Sequence, residues 1–303
     1  MESTNKNYSP FFILIIIALE AILFSIGNNK SENKFIDEEN KIKKIQAVFK
    51  NISVEAKAFS IYDQTLDRKI YGRNDETPMP IASLTKIMTA VVALNTKNMD
   101  EVITISFDAL KQEGDFGLYV NEKFKIKDLT KITLINSAND GAYALSENVS
   151  DVLEKMNVKA RKIGMENTLF FNSTGLDINN METGLPTHAG AYASAEDVNI
   201  MTIYASRAYP EIFNMSVLSE KNIKSESGFT HNVKNTNTII DKIPNILFSK
   251  TGYTPFSGGS LTVIYKNEDE HEIAITILGS TIEGRFSDME KIINTLTYLF
   301  YKK

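Results

Sequence analysis

Strand-like sequence lies at the two ends of the region from residue 52 to residue 303, and helical patterns fill the middle. The strand-like segments are 53–61, 69–71, 261–265 and 272–278. Polar linkers at 63–67 and 267–270 predict that each pair forms a hairpin. A closing amphipathic helix is predicted over about 286–301. Because strands from both ends must pair while helices lie between them, we predict an α+β fold with an antiparallel sheet covered by helices and a helical lobe.

The middle of the chain is rich in helix signals. A helix begins near Ser83, with apolar residues at i, i+3, i+4, i+7 and i+8 that predict one face packed on a core. They are Leu84, Ile87, Met88, Val91 and Val92. Further helices are predicted over 129–136 and 140–153, and the polar string 172–175 predicts a turn. Two prolines predict extended backbone over 76–80.

Composition excludes several classes of function. The chain has 33 basic and 38 acidic residues, so no cationic excess is available for a phosphate backbone, and nucleic acid is not an expected partner. It has no cysteine, which excludes disulfides, Fe–S clusters and thiolate zinc sites. Its three histidines, His188, His231 and His271, lie far apart in the sequence. We therefore expect no metal and no cofactor, and chemistry based on hydroxyl, amine and carboxylate groups.

An apolar run at residues 11–27 indicates export. Its core reads FFILIIIALEAILFSI, and twelve Leu, Ile and Phe residues outweigh the single Glu20 for membrane insertion. We interpret it as a signal anchor, with a cleaved signal peptide as the alternative and a buried core helix as the least favoured one. Residues 1–10 are then a cytoplasmic tail, 28–51 a charged helical stalk and 52–303 the functional domain. Lysines after the run would place that side in the cytoplasm by positive-inside counting, but large domains translocate with little regard to charge.

Ser83-Leu84-Thr85-Lys86 places a hydroxyl and an amine three residues apart at the start of the predicted helix. Residues at that spacing are neighbours on a helix surface. A serine becomes a good nucleophile only when a base takes its proton. Burial or a second cation can lower the pKa of a lysine enough for it to be that base. The pattern predicts nucleophilic catalysis by Ser83 with Lys86 as its base.

Two further patterns carry polar groups at the ends of regular elements. Ser137-Ala138-Asn139 offers a hydroxyl for proton relay and an amide for a substrate or for the lysine. Lys250-Thr251-Gly252 offers a cation and a hydroxyl for a carboxylate, and a glycine that allows close backbone approach. Backbone N–H groups of Ser83 and Tyr253 are candidates for an oxyanion hole. Each pattern alone is weak, since S-x-x-K also occurs at Ser31–Lys34, but their order and spacing together favour one site.

Longer strings around these patterns resemble the serine-type D-alanyl-D-alanine carboxypeptidases, the low-molecular-mass penicillin-binding proteins of peptidase family S11. The resemblance covers about residues 52–300. The strings that carry it are Met79–Ala90, Ser137–Ala142, Gly164–Thr168, Phe171–Asp177, Tyr192–Asp197 and Lys250–Thr254.

The resemblance implies a penicillin-recognising serine-transferase fold and removal of the terminal D-Ala from peptidoglycan stem peptides ending in D-Ala-D-Ala. It also implies acylation by β-lactams and a place in the bacterial cell envelope, outside the cytoplasm and held there by the N-terminal segment, or secreted if that segment is cleaved. Ser83 would be acylated, Lys86 would be the base, and Ser137 and Asn139 the proton relay and amide contact. The substrate-binding positions would be Lys250, Thr251, Gly252, Tyr253 and Arg285.

Some features differ from the family pattern. Many members carry an additional β-rich domain and a C-terminal amphipathic anchor, whereas this sequence ends just after the closing helix. The S-x-N motif has Ala138 where glycine is common. Two alternatives share the same residues: a non-catalytic wall-binding module or β-lactam sensor, and a serine β-lactamase. The latter needs a carboxylate-activated water for deacylation, and Glu166-Asn167-Thr168-Leu169 falls one residue short of its usual signal.

Overall fold

The computed structural model describes residues 39–40, 42–180 and 183–301. The chain divides into two units, residues 1–49 and 50–303. In the first unit, residues 39–40 and 42–49 are helical, within the segment predicted to be a helical stalk. The apolar run at 11–27 lies outside the described residues, so the predicted anchor stays a prediction. Among the residues that are described, no helix is both long enough and apolar enough to cross a bilayer.

The second unit contains strands and helices in the order expected for an α+β fold. Its strands are β1 (Ala58–Asp63), β2 (Arg68–Arg73), β3 (Met79–Pro80), β4 (Val102–Thr104), β5 (Lys123–Lys125), β6 (Leu169–Phe170), β7 (Ile178–Asn179), β8 (Pro186–His188), β9 (Ala191–Ala193), β10 (Glu220–Lys224), β11 (Thr230–Lys234), β12 (Ile246–Thr254), β13 (Gly258–Lys266) and β14 (Glu272–Ser280). Its helices are α1 (Thr85–Thr96), α2 (Ile126–Ile135), α3 (Asn139–Glu147), α4 (Val152–Lys162), α5 (Ala195–Ala208), α6 (Pro210–Phe213) and α7 (Gly284–Tyr301). Short 3₁₀ segments lie at Ala82–Leu84, Ala109–Lys111, Asn214–Val217 and Ile240–Lys242.

The main sheet has five antiparallel strands in the order β12-β13-β14-β1-β2. The N-terminal hairpin β1–β2 therefore lies beside the C-terminal strands, as the sequence predicts. Strands β13 and β14 are buried along nearly their whole length, which is typical of a sheet covered on both faces. Helix α5 covers one face through Asn199 and Thr202, which contact Thr276 and Thr262. Helix α7 also packs on β13 and β14. The predicted sheet covered by helices is confirmed.

Helix α1 is the centre of the helical lobe. It packs against α2, α3, α4 and α5, and every residue from Thr85 to Leu94 is buried. The expected one-sided amphipathic helix is therefore wrong, since neighbours surround α1 on all sides. The strand β12 lies at the edge of the sheet and contacts the 3₁₀ segment that precedes α1. This contact brings the Lys250 motif to the beginning of the helix that carries Ser83 and Lys86.

Two predicted boundaries differ from the structure. Strand β1 begins at Ala58 rather than near Ser53, because the N–H groups of Glu55 and Ala56 donate to the Asp288 carboxylate on α7 at 3.0 and 2.8 Å and are not available to a neighbouring strand. The predicted helix over 140–153 is two helices, α3 and α4. The break contains Asp151, whose φ of 51° is left-handed and incompatible with a continuous helix.

Candidate active site

Ser83 and Lys86 lie together at the start of α1. Lys86 Nζ lies 2.6 Å from Ser83 Oγ, and the lysine side chain is fully buried. Ser83 is in the 3₁₀ turn that leads into the helix, and Ala82 before it has a φ of 47°, a left-handed conformation that is uncommon for a residue with a side chain. Strained backbone of this kind is often found at functional sites. The structure thus places a hydroxyl and an amine in contact at the beginning of a helix.

The turn at residues 172–175 completes the surroundings of the amine. Lys86 Nζ donates to the Thr174 carbonyl at 2.8 Å. The Asn172 side-chain oxygen accepts the Gly175 N–H at 2.7 Å, which closes the turn. Gly175 has a φ of 81°, and a Cβ there would collide with the Ala82 carbonyl. The predicted turn is confirmed, and it places the Thr174 carbonyl within hydrogen-bond distance of the Lys86 amine.

Among the residues that the structure describes, the Lys86 amine has neutral hydrogen-bond partners and no carboxylate within ion-pair distance. Burial lowers the pKa of Lys86 to about 7, and the Asp140 carboxylate acts in the opposite direction. A buried ammonium is costly without a paired charge, which is why burial favours the neutral amine. Near neutral pH, a large fraction of the Lys86 side chain is therefore a free base beside the Ser83 hydroxyl.

Strand β12 brings the Lys250 motif to the same place. A Cβ added at Gly252 would lie 2.9 Å from the Ile81 carbonyl oxygen and 3.3 Å from the Ser83 nitrogen, so glycine permits the close approach of the two backbones. The Thr251 hydroxyl lies 2.5 Å from that of Thr236. Tyr253 follows on the same edge strand, and its side chain is 46% exposed. The structure therefore places the Gly252 backbone against the segment that carries Ser83.

Two buried basic side chains, Lys250 of β12 and Arg285 of α7, donate to backbone carbonyls of this strand. Lys250 Nζ donates to the Thr251 carbonyl at 2.8 Å, and Arg285 Nη1 from α7 donates to the Gly252 carbonyl at 2.8 Å. Burial, together with the charges of Lys86 and Arg285, holds the pKa of Lys250 well below its usual range. Burial also lowers the pKa of Arg285, and Glu283 opposes this. Among the described residues neither side chain has a carboxylate within ion-pair distance.

The Ser137 motif joins α2 to α3. Ser137 is half-buried, with a left-handed φ of 66°. Asn139 begins α3, and its Nδ2 donates to the Glu113 carbonyl at 2.6 Å, whereas its buried Oδ1 has no hydrogen-bond partner in the described part of the chain. The Asn139 amide therefore binds the loop that contains Glu113 and does not bind Lys86. Lys86 donates to the Thr174 carbonyl instead. The end of α2 is tied toward β12, since Thr236 N donates to the Ile135 carbonyl and the Thr236 hydroxyl contacts Thr251.

Two groups in this region were not predicted. The Thr174 carbonyl could not be predicted as a partner of Lys86, because every residue has a backbone carbonyl. The turn that contains it was predicted. Asp140 is fully buried and acts electrostatically on Lys86. Its signal was available, since it is an acidic residue in the first turn of a helix directly after the Ser137 motif.

Comparison with known proteins gives the family. The family model for peptidase S11, D-alanyl-D-alanine carboxypeptidase, matches residues 43–281. The chain belongs to this family. Among curated S11 relatives, it is 32% identical over 212 residues to a D-alanyl-D-alanine endopeptidase of Pseudomonas aeruginosa, covering 67% of this chain and 64% of the relative. It is 28% identical to the D-alanyl-D-alanine carboxypeptidase DacF of Bacillus subtilis, covering 79% of this chain and 61% of DacF. The S11 chain thus spans less than two thirds of the length of these relatives.

Solved structures confirm the fold predicted from the resemblance. Penicillin-binding protein D2 from Listeria monocytogenes, in a cefotaxime-bound form, superposes with a TM-score of 0.69 at 25% identity and covers 81% of this chain and 98% of that one. A D-alanyl-D-alanine carboxypeptidase from Mycobacterium tuberculosis gives a TM-score of 0.72 at 20% identity, covering 83% and 94%. The S11 chain therefore has the fold of the low-molecular-mass penicillin-binding proteins.

Proposed function

We propose that this chain is a serine-type D-alanyl-D-alanine carboxypeptidase that removes the terminal D-Ala from peptidoglycan stem pentapeptides through an acyl-enzyme on Ser83. The observation that carries the proposal is the fully buried Lys86 amine, 2.6 Å from the Ser83 hydroxyl, with its pKa lowered to about 7. This is the arrangement that a serine nucleophile with a lysine base requires. Family membership supports the same reaction.

In the first half-reaction, the neutral Lys86 amine takes the Ser83 proton while Ser83 Oγ attacks the carbonyl carbon of the terminal peptide bond. The tetrahedral intermediate collapses, the C–N bond breaks, and the departing nitrogen of D-Ala gains a proton through Lys86 and the Ser137 hydroxyl. In the second half-reaction, water attacks the ester and Ser83 recovers its proton. Asn139 contacts the substrate amide in this scheme.

The developing oxyanion is stabilised by the backbone N–H groups of Ser83 and Tyr253. Support comes from the contact of Gly252 with the segment before Ser83, which brings the edge of β12 next to the nucleophile. N–H groups fixed in place before reaction need no reorganisation as charge develops, and such groups typically contribute about 10²–10³-fold to the rate.

The substrate carboxylate is held by Lys250, Arg285 and Thr251. The terminal D-Ala carries a carboxylate directly beside the scissile bond, and the two buried cations have no anionic partner among the described residues. An entering carboxylate would satisfy both and form charge-assisted hydrogen bonds, which are about twice as strong as neutral ones. This requirement selects a C-terminal residue over an internal one.

Endopeptidase activity is a second candidate, because relatives from Pseudomonas aeruginosa and Haemophilus influenzae, 32% and 31% identical, are named D-alanyl-D-alanine endopeptidases. The two activities separate by substrate. A carboxypeptidase releases free D-Ala from a pentapeptide, whereas an endopeptidase splits a cross-linked dimer. Measuring both with purified protein, and with Ser83→Ala as the blank, decides which reaction dominates.

β-Lactams mimic the substrate and are proposed to acylate Ser83. Intact-mass measurement after benzylpenicillin treatment, followed by peptide mapping, tests this directly, and an adduct elsewhere or no adduct contradicts it. Folded protein that is acylated but releases no D-Ala supports a β-lactam sensor instead. Fast nitrocefin turnover supports a β-lactamase, although Glu166 is exposed in the turn after α4.

Export by residues 11–27 follows as part of the same proposal, since the substrate lies outside the cytoplasm. In this arrangement residues 1–10 are cytoplasmic, 28–51 form a stalk and 52–303 form the enzyme in the cell envelope. Intact mass of the protein recovered from membranes distinguishes an uncleaved anchor from a cleaved signal peptide. A full-length chain whose domain is protected from protease added outside spheroplasts contradicts the export.

A further inference from the structure

Asp140 is a buried carboxylate held almost wholly by backbone N–H groups. Its Oδ2 accepts the N–H groups of Phe116, Gly117 and Leu118 at 2.9, 3.3 and 3.4 Å, and its Oδ1 accepts that of Gly141 at 2.7 Å. The side chain is fully buried. Among the described residues no cation lies within ion-pair distance of it. Three successive amides converging on one oxygen form a nest of the kind that binds anions.

The loop that Asp140 holds also fixes the Asn139 amide. Asn139 Nδ2 donates to the carbonyls of Glu113 and Gly114 at 2.6 and 3.3 Å. Residues 113–118 form no helix or strand, so contacts with their neighbours define their position. Two consecutive residues of the chain, Asn139 and Asp140, thus bind two consecutive parts of one loop. The position of the Asn139 amide depends on this loop, and the loop depends on the carboxylate.

Asp140 is also the carboxylate that acts on Lys86. The charged groups that face this amine are Asp140 from α3 and Lys250 from β12, with Arg285 from α7 beside Lys250. Asp140 raises the pKa of Lys86 against the effect of burial. Burial raises the pKa of Asp140 itself, and its four backbone hydrogen bonds oppose that rise. Among the described residues, Asp140 is thus the acidic group that acts on Lys86, whereas Lys250 and Arg285 are basic.

We propose that Asp140 is a positioning residue of the site, which fixes loop 113–118 and with it the Asn139 amide, and which directs a negative charge toward Lys86. The inference rests on the proposed function, because Asp140 acts through two residues of that site and touches no reacting atom. A second buried aspartate provides a comparison. Asp197 is also in the first turn of a helix and accepts the Asn167 N–H and the Thr168 hydroxyl, each at 2.7 Å, but it does not act on Lys86.

The test compares Asp140→Asn with Asp197→Asn. In Asp140→Asn, amide hydrogen exchange at residues 116–118 should be about tenfold faster or more, since hydrogen bonds to a charged acceptor are lost. The acid limb of benzylpenicillin acylation should move to lower pH, because loss of the negative charge favours the neutral Lys86 amine. In Asp197→Asn, exchange at 116–118 and the acid limb should stay as in the wild type. An unmoved limb or unchanged exchange in Asp140→Asn overturns the proposal.

The Asp140→Glu variant separates the effect of the negative charge from that of the position of the carboxylate. It also provides a test if Asp140→Asn does not fold. It keeps the charge but displaces the oxygen from the nest, so faster exchange at 116–118 with an acid limb close to that of the wild type is expected. Unchanged exchange contradicts the positioning role. If the wild-type chain is not acylated, the proposed function fails. The Asp140 inference is then decided by amide hydrogen exchange at 116–118 and by ¹³C NMR titration of the Lys86 side chain. The Lys86→Arg variant assigns the Lys86 resonance.

Discussion

Two buried polar clusters of this molecule contrast in how their charges are satisfied. In the first, Lys86, Lys250 and Arg285 make their hydrogen bonds to a hydroxyl and to backbone carbonyls. In the second, His231 Nε2 lies 2.8 Å from Glu122 Oε1, and Glu122 Oε2 accepts the Tyr119 N–H at 3.0 Å. Aromatic rings surround the second pair, those of Phe116, Tyr119 and Phe124 lying 5.7–5.9 Å from the imidazole.

The difference separates a structural role from a functional one. A buried charge without a counter-charge costs more free energy than one whose partners are all present. The Glu122–His231 pair is complete within the protein and ties the loop before β5 to β11. The Lys86, Lys250 and Arg285 side chains have no anionic partner among the described residues, so a contribution to stability does not explain them. The proposed function accounts for them, because Lys86 needs a lowered pKa to act as a base and Lys250 and Arg285 are proposed to bind the substrate carboxylate.

Ser83→Ala removes the hydroxyl that Lys86 of the first cluster contacts, and it should have the largest effect on activity. Without Oγ no ester can form, so covalent labelling by fluorescent penicillin and release of D-Ala should both be abolished. The fold should remain, because the hydroxyl contributes one hydrogen bond to Lys86. Labelling on a denaturing gel and the melting temperature together check this. Persistent labelling at full stoichiometry would remove Ser83 as the nucleophile.

Lys86→Ala should slow acylation by about 10²–10⁴-fold, the usual contribution of a general base. Substrate affinity should change less, since the substrate carboxylate is proposed to bind Lys250 and Arg285 instead. The second-order rate constant for acylation measures the effect, and the exposed Lys111, which pairs with Asp108 at the surface, provides a control variant that should leave the rate unchanged. A near-normal rate in Lys86→Ala contradicts its role as base.

Glu122→Ala tests the second cluster, where we expect a loss of stability of about 3 kcal/mol, since the buried His231 ring loses its partner and the Tyr119 N–H loses its acceptor. The exposed pair Lys111–Asp108 again gives the contrast, because Lys111→Ala should leave the free energy of unfolding nearly unchanged. Urea denaturation measures both variants. If Glu122→Ala retains wild-type stability, the structural reading of this pair is wrong.

The contrast also explains what sequence could and could not predict. The pairing of the end strands, the contact of Ser83 with Lys86 and the approach of the Lys250 motif to them follow from local patterns with strong side-chain signals. The burial of α1 on all sides does not, because it depends on neighbours distant in sequence. The division between α3 and α4 depends on the left-handed Asp151 and on Asn148 Nδ2 donating to the Ala144 carbonyl, local choices that periodicity does not reveal. Hydrogen bonds to carbonyls, such as that of Thr174, leave no trace in residue identity.

Lys250→Ala should weaken recognition of a substrate that ends in a free carboxylate by roughly 10–100-fold, the loss expected for one hydrogen bond to a charged group. A C-terminally amidated analogue should be affected much less, since it brings no anion to the site. The ratio of kcat/KM for the two peptides isolates the charge from any general disturbance of β12. Equal losses on both peptides would mean that Lys250 supports the strand rather than the substrate carboxylate.

The pH dependence of acylation should give the smallest change, a rise of about tenfold between about pH 6 and about pH 8, because the pKa of Lys86 near 7 sets the fraction of neutral amine.

The same titration of Lys86 must appear in the free energy of unfolding. A lysine whose pKa is lowered on folding is charged in both states below about pH 7, and between about pH 7 and 10.5 only the unfolded chain keeps the proton. The free energy of unfolding of the wild type, relative to Lys86→Met, should therefore increase with pH across that window by up to about 1.4 kcal/mol per pH unit. A flat difference would place the kinetic titration on another group, and a decrease would mean that the folded protein stabilises the ammonium rather than the amine.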